Sequence, residues 1–116
     1  MATVASHVLD SVRGTHATGI RCQLFRLDKD SGRELVFDVK ADQEGRISEE
    51  VEVENANRDA QFELVFHSEA YFSMQAINTA TMVETIVVRF VMTNAHKRYH
   101  LPVMLSPHAS SVWWSG

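Results

Sequence analysis

The chain has 116 residues, of which 45% are hydrophobic and 22% charged, with a formal net charge of −4. That length suits one domain that buries a core without disulfides or metal, and the composition excludes a disordered segment. The acidic balance offers no electrostatic footprint for nucleic acid, no apolar run approaches the roughly 20 residues of a membrane span, and the single cysteine, Cys22, excludes a disulfide framework or cysteine-based zinc motif.

Taken in order, residues 3 to 9 read as a strand carrying Val4, Val8 and Leu9, interrupted by Ser6-His7. Arg13-Gly14-Thr15-His16 reads as a turn, with His16 a solvated loop residue. From Gly19 the pattern alternates: Ile20, Cys22 and Leu24 share one face, Arg21 and Gln23 the other, as in a half-buried strand. Cys22 is then a buried small hydrophobe. Asp28 to Gly32 forms a turn cluster that makes a hairpin with 34–39; its aspartates lack the glutamate spacing of a calcium loop. Ala41 to Ile47 is a second turn into a short strand. Glu50, Glu52 and Glu54 then alternate with Val51 and Val53, a solvated strand face.

Phe62, Leu64 and Phe66 share one face of the next strand. Ser68 to Ala76 reads as one short helix with Ser68 as a cap, and Asn78 to Met82 as a connector. Thr85 to Met92 is the strongest strand signal, β-branched almost throughout. Asn94 to Lys97 turns it into the run from Arg98 to Pro107. Pro102 removes a ladder donor there, so the strand is an edge or delivers His100 at an irregular spot. Ser110 to Trp114 extends as an edge strand. Seven or eight short strands between turns, with one helix, describe an all-β sandwich.

Three polar residues stand inside or beside apolar strands: His7, Arg46 and His100. A histidine serves as general base on water near neutral pH, and an arginine presents a planar fork to an oxygen-rich or anionic substrate. His96 and His100 are four apart across a turn-like stretch and need not share a face, so no metal site is expected, and no motif calls for a cofactor. The lone cysteine fits a reducing compartment. With no signal peptide and no receptor-read terminal address visible, the expected location is the cytoplasm.

The chain resembles the transthyretin family, and within it the 5-hydroxyisourate hydrolases. The resemblance rests on Ser6-His7-Val8-Leu9-Asp10 with Gly14 and Ala17, on Glu44-Gly45-Arg46-Ile47, on Phe62 to His67 running into Tyr71-Phe72, and on Tyr99-His100-Leu101-Pro102 through Leu105-Ser106-Pro107. It implies a transthyretin-like (prealbumin-like) two-sheet antiparallel β-sandwich with one short helix, assembled as a homotetramer with active sites in a channel where dimers meet. It also implies hydrolysis of 5-hydroxyisourate, a urate-oxidation product, at a ring amide bond. The hydrolase's functional histidines and arginine match His7, His100 and Arg46, residues that the hormone-carrying transthyretins lack. A peroxisomal location also occurs in such a family.

Two departures stand out. His16 replaces the proline of the family's Gly-x-Pro-Ala, and Trp113-Trp114-Ser115-Gly116 replaces a Tyr-Arg-Gly-Ser tail that reaches the active site. The resemblance therefore implies a catalytic His7, His100 and Arg46, with Arg46 also a substrate contact; in the changed tail, Ser115 stands in for the terminal serine if the alignment slips by one residue, and Trp113 and Trp114 are either substrate contacts or edge-strand residues buried at a subunit contact. The alternative is a hydrolase of altered substrate, or a non-catalytic carrier that stacks an aromatic ligand on the tail tryptophans.

Overall fold

In the computed structural model, which describes residues 1–30, 32–77 and 82–115, ten strands and one helix follow one another along the chain. They are β1 (Ala2–Asp10), β2 (Thr15–His16), β3 (Arg21–Asp28), β4 (Gly32–Lys40), β5 (Arg46–Val51), β6 (Gln61–Phe66), α1 (Ser68–Met74), β7 (Ile86–Val91), β8 (Arg98–His100), β9 (Val103–Ser106) and β10 (Ala109–Val112). Most of the expected connector from Asn78 to Met82 lies outside the described residues. The strands form two sheets, one in the order β4-β3-β6-β7 and one built around β1.

The β4-β3-β6-β7 sheet is antiparallel throughout and follows the alternation of its residues. Cys22, Leu24, Phe62, Leu64 and Phe66 are all fully buried on its inner face. Burial pushes the Cys22 thiol up to about 12, so it remains protonated and inert near neutral pH.

The other sheet departs from a simple antiparallel sandwich. Along one side of β1 run β5, antiparallel to residues 2–7, and then β2, opposite Leu9 and Asp10. Along the other side run β8 and β9, both parallel to β1, with β10 antiparallel to β9 at the edge. Pro102 explains the split. Pro102 lies between the two strands: β8 before it pairs with β1 alone and is an edge, while β9 after it runs between β1 and β10. Having no N–H to give, Pro102 breaks the ladder just after Leu101, whose own N–H still donates to the Ala5 carbonyl at 2.9 Å. Ser6 crosses the break, its hydroxyl donating to the Leu101 carbonyl at 2.7 Å, and the Pro102 carbonyl accepts the Trp113 N–H at 3.2 Å.

Val4, Val8, Ile47, Val51, Val103 and Leu105 supply this sheet's share of the core. The helix docks at the far end of β1. Tyr71, buried, donates its hydroxyl to Asp10 Oδ2 at 2.7 Å, while Asp10 Oδ1 accepts the N–H groups of Val12 and Arg13 at 3.0 Å each. Ser68 is not the helix cap. His67 holds that position without a side-chain cap, and the Ser68 hydroxyl turns to the Glu84 carbonyl at 3.4 Å. At the other helix end, Ala76 takes a left-handed conformation (φ 58°), and the N–H groups of Ala76 and Ile77 close on the carbonyls of Ser73 and Phe72.

Candidate active site

Both sides of β1 change partner around residues 6–8. On one side β5 gives way to β2 where the Val8 N–H donates to the Gly45 carbonyl at 2.8 Å and the Val8 carbonyl accepts the Ala17 N–H at 2.9 Å. On the other, β8 gives way to β9 at Leu101-Pro102. His7 sits between the two interruptions.

The register decides what surrounds it. His7 pairs with Arg46 across β1 and β5, and Ala5 pairs with His100 across β1 and β8. Directly opposed residues share a face, as do residues two apart on one strand. His7, Arg46 and His100 therefore leave the sheet on the side away from the core, together with Ala5 and Ser48. Ala5 is fully buried on this otherwise open face, so larger side chains around it close over it.

The loop before β5 is tightly built. Asp42 Oδ1 accepts the N–H groups of Glu44 (2.9 Å) and Arg46 (3.0 Å), and these bonds hold its carboxyl below the usual range. Gly45 adopts φ 73°, and a Cβ there would lie 2.4 Å from the Val8 carbonyl oxygen, so only glycine admits this approach. Arg46 is half exposed, with Nε 3.7 Å from Glu44 Oε2.

His100 is partly buried, and its Nδ1 is buried without a hydrogen-bond partner among the described residues. Burial, then the positive charges of Arg98 and Arg46 and the neighbouring His7, push its pKa below the ordinary imidazole value. The register sets the three on neighbouring positions of one face, with Arg46 opposite His7 and His100 opposite Ala5, two residues before His7.

His16, expected as a free loop residue, is exposed but not isolated. Its Nδ1 lies 3.1 Å from His7 Nε2, with the rings tilted by 33°. The two-residue strand β2 puts it opposite Leu9, one pleat along from His7 on the same face. The signal available in the sequence was its spacing: nine residues from His7, across a glycine turn that folds the chain back on itself.

The tail is placed differently. Trp114 and Ser115 line a groove of about 570 Å³ with His100, Leu101, Tyr99 and Arg98, whereas His7, Arg46 and Trp113 are not among its walls. Trp113 and Trp114 are 44% and 68% exposed, so the described residues cover each only in part. The structure thus brings His7, Arg46 and His100 together and sets Trp114 and Ser115 at the border of His100. Among the described residues no cluster of three His, Cys, Asp or Glu suits a metal ion, and no helix is long and apolar enough to cross a membrane.

A two-sheet sandwich whose outer face carries two histidines and an arginine on paired strands is a transthyretin-like fold with a polar, chemically equipped surface. The family model described as the HIUase/Transthyretin family matches residues 4–114, and the chain belongs to that family. A curated relative from Rhizobium meliloti (strain 1021), 5-hydroxyisourate hydrolase 2, is 30% identical over 112 residues, covering 95% of this chain and 92% of the relative. The 5-hydroxyisourate hydrolase of Halalkalibacterium halodurans is also 30% identical over 112 residues, covering 95% of this chain and 94% of the relative. Among solved structures, Klebsiella pneumoniae 5-hydroxyisourate hydrolase matches with a TM-score of 0.79 at 22% identity over 100% of both chains, a likeness of fold. An (S)-allantoin synthase matches with a TM-score of 0.81 at 27% identity; the match covers 99% of this chain but 44% of that larger one.

Proposed function

We propose that this protein is a cyclic-amide hydrolase that opens the ring of 5-hydroxyisourate. The observation that carries the reading is the pairing of His7 with Arg46 and of Ala5 with His100, which gathers a base, a second imidazole and a guanidinium on one open sheet face. The family membership and the relatives named as 5-hydroxyisourate hydrolases support it.

In this reading an imidazole takes a proton from water as the oxygen adds to the carbonyl carbon of a ring amide. The carbonyl oxygen becomes an oxyanion, which the Arg46 guanidinium stabilises with a planar pair of donors. Collapse of this intermediate breaks the C–N bond, the nitrogen takes back the proton from the imidazolium, and the new acid ionises to a carboxylate. A depressed pKa keeps His100 unprotonated, and so able to accept, below the range of an ordinary histidine. The reaction calls for no cofactor and no metal.

The open face also bears Met104, which pairs with Leu9 and is 39% exposed, and the tail tryptophans are only partly covered. Apolar surface of this kind beside a polar site fits a homotetramer in which the site lies between subunits. Trp114 and Ser115 would then border the bound ring from the side of His100. The cytoplasm suits such an enzyme, whose small-molecule substrate is purine-derived.

The test follows the absorbance decay of freshly generated 5-hydroxyisourate with and without protein. Acceleration proportional to protein concentration supports hydrolysis. No acceleration, together with saturable quenching of tryptophan fluorescence by the same compound, moves the reading to a carrier.

A further inference from the structure

We propose that His16 is a positioning residue for His7, and that a hydrogen bond between the two imidazoles sets the tautomer of His7. This rests on the reading of His7 as part of a hydrolytic site. The pair is the contact at 3.1 Å between His7 Nε2 and His16 Nδ1.

The backbone makes the contact a built one. His16 lies on β2 in register with Leu9, and the next residue, Ala17, gives its N–H to the Val8 carbonyl at 2.9 Å. One residue further on, the Thr18 hydroxyl donates to the Gln43 carbonyl at 2.7 Å and ties this segment to the loop before Arg46. Gly45, in that loop, packs so closely that a Cβ on it would stand 3.3 Å from the Cβ of His16. Two separate segments thus hold His16 beside His7.

Proton placement follows from donor and acceptor logic. A neutral imidazole carries one N–H, so one of the two facing nitrogens donates and the other accepts. With His7 Nε2–H as donor, both rings carry their proton on Nε2, the form a free histidine side chain favours. The reverse would force both rings into the less favoured form. His7 Nδ1 is then the nitrogen left free to act as a base.

The experiment looks for a scalar coupling between His7 Nε2 and His16 Nδ1 across the hydrogen bond, by 15N-resolved imidazole spectroscopy of the wild type, and compares the His7 tautomer there with that in His16→Phe and His16→Asn. The phenylalanine keeps the bulk without the nitrogen. The asparagine amide can hydrogen-bond at the position of Nδ1 but cannot titrate. In the wild type the coupling should be seen and His7 should carry its proton on Nε2 alone; in His16→Phe the coupling should vanish and the Nδ1–H form of His7 should become populated. For hydrolysis, His16→Phe should lower kcat about tenfold, the scale typical of an orienting partner, with KM changed less than twofold, and His16→Asn should recover most of it. Absence of the coupling in the wild type, with a His7 tautomer that His16→Phe leaves unmoved, overturns the proposal, as does a kcat that stays at the wild-type level in His16→Phe. If the wild type leaves 5-hydroxyisourate untouched while the coupling is seen, the hydrolase reading falls and the pair stands.

Discussion

His7 and Arg46 stand directly opposite one another across β1 and β5, so their Cβ atoms are held about 5 Å apart by backbone register. Side-chain rotamers then adjust a meeting that the sheet has already arranged. A slip of one residue in this pairing would turn Arg46 toward the core and Ile47 toward solvent, so burial of Ile47 guards the site.

Replacing His7 or His100 by Ala should lower kcat/KM by ~10²–10⁴, the usual contribution of a positioned base. Arg46→Lys should also be damaging, because a point charge cannot reproduce the fork. All three side chains lie outside the core, so the midpoint of urea unfolding should stay close to wild type. Retention of full rate by all three variants would remove these residues from the mechanism.

The acid limb of the kcat/KM profile should fall below the ordinary imidazole value of about 6.5, because burial and nearby positive charge disfavour the His100 cation. Arg98 is the largest of those charges, so Arg98→Gln should move the limb upward. A limb that stays put in this variant would mean that another group controls it.

Stability should carry the same sign. His67 is also depressed, by burial and by Arg21, and its Nε2 lies 2.7 Å from Gln23 Oε1. A histidine with a lowered folded-state pKa binds fewer protons folded than unfolded. Stability is therefore lost as pH falls through about 6.5, and the loss levels off below the folded value. Urea midpoints measured between pH 7.5 and 5.5 should decline, and less steeply in His67→Gln; a flat profile in the wild type would contradict the assignment.

Tyr71→Phe should cost about 1–3 kcal/mol, since it strips a hydrogen bond from the buried Asp10 carboxyl that also holds the chain at Val12 and Arg13. The unfolding slope should be unchanged while the midpoint falls. Turnover per folded molecule should be kept, because the contact lies at the helix end of β1.

Ala76→Gly should stabilise the protein by ~0.5–1 kcal/mol. Ala76 closes α1 in the left-handed region, where a Cβ is crowded and glycine is not. A lower midpoint would show that the helix end is held by something other than this residue's backbone angle.

Alternation made the inner faces of β3 and β6 legible, since burial imposes a period of two on any half-buried strand. The three polar residues of the site were legible as polar positions within apolar runs. Their neighbours were not: periodicity says which face a residue takes, not which strand lies beside it. That is why the parallel pairing of β1 with β8 and β9 had no trace in the pattern, although the edge expected before Pro102 is there in β8. His16 escaped because a histidine after Gly14 looks like any turn residue until β2 folds back on β1. Ser68 had the chemistry of a cap, but the approach of residue 84 drew its hydroxyl elsewhere.

The split between β8 and β9 also bears on time. Ser6 and Leu101, which bridge that split, are 95 residues apart in the chain. A ribosome makes β1 long before its parallel partners, and such distant pairing is slow to close, in the range of milliseconds to seconds for β-rich domains. Until residue 105 is available, β1 has one flank without a ladder, a sticky edge that favours misassociation and calls for chaperone cover. The surface bearing His7 is consequently among the last parts of the molecule to form.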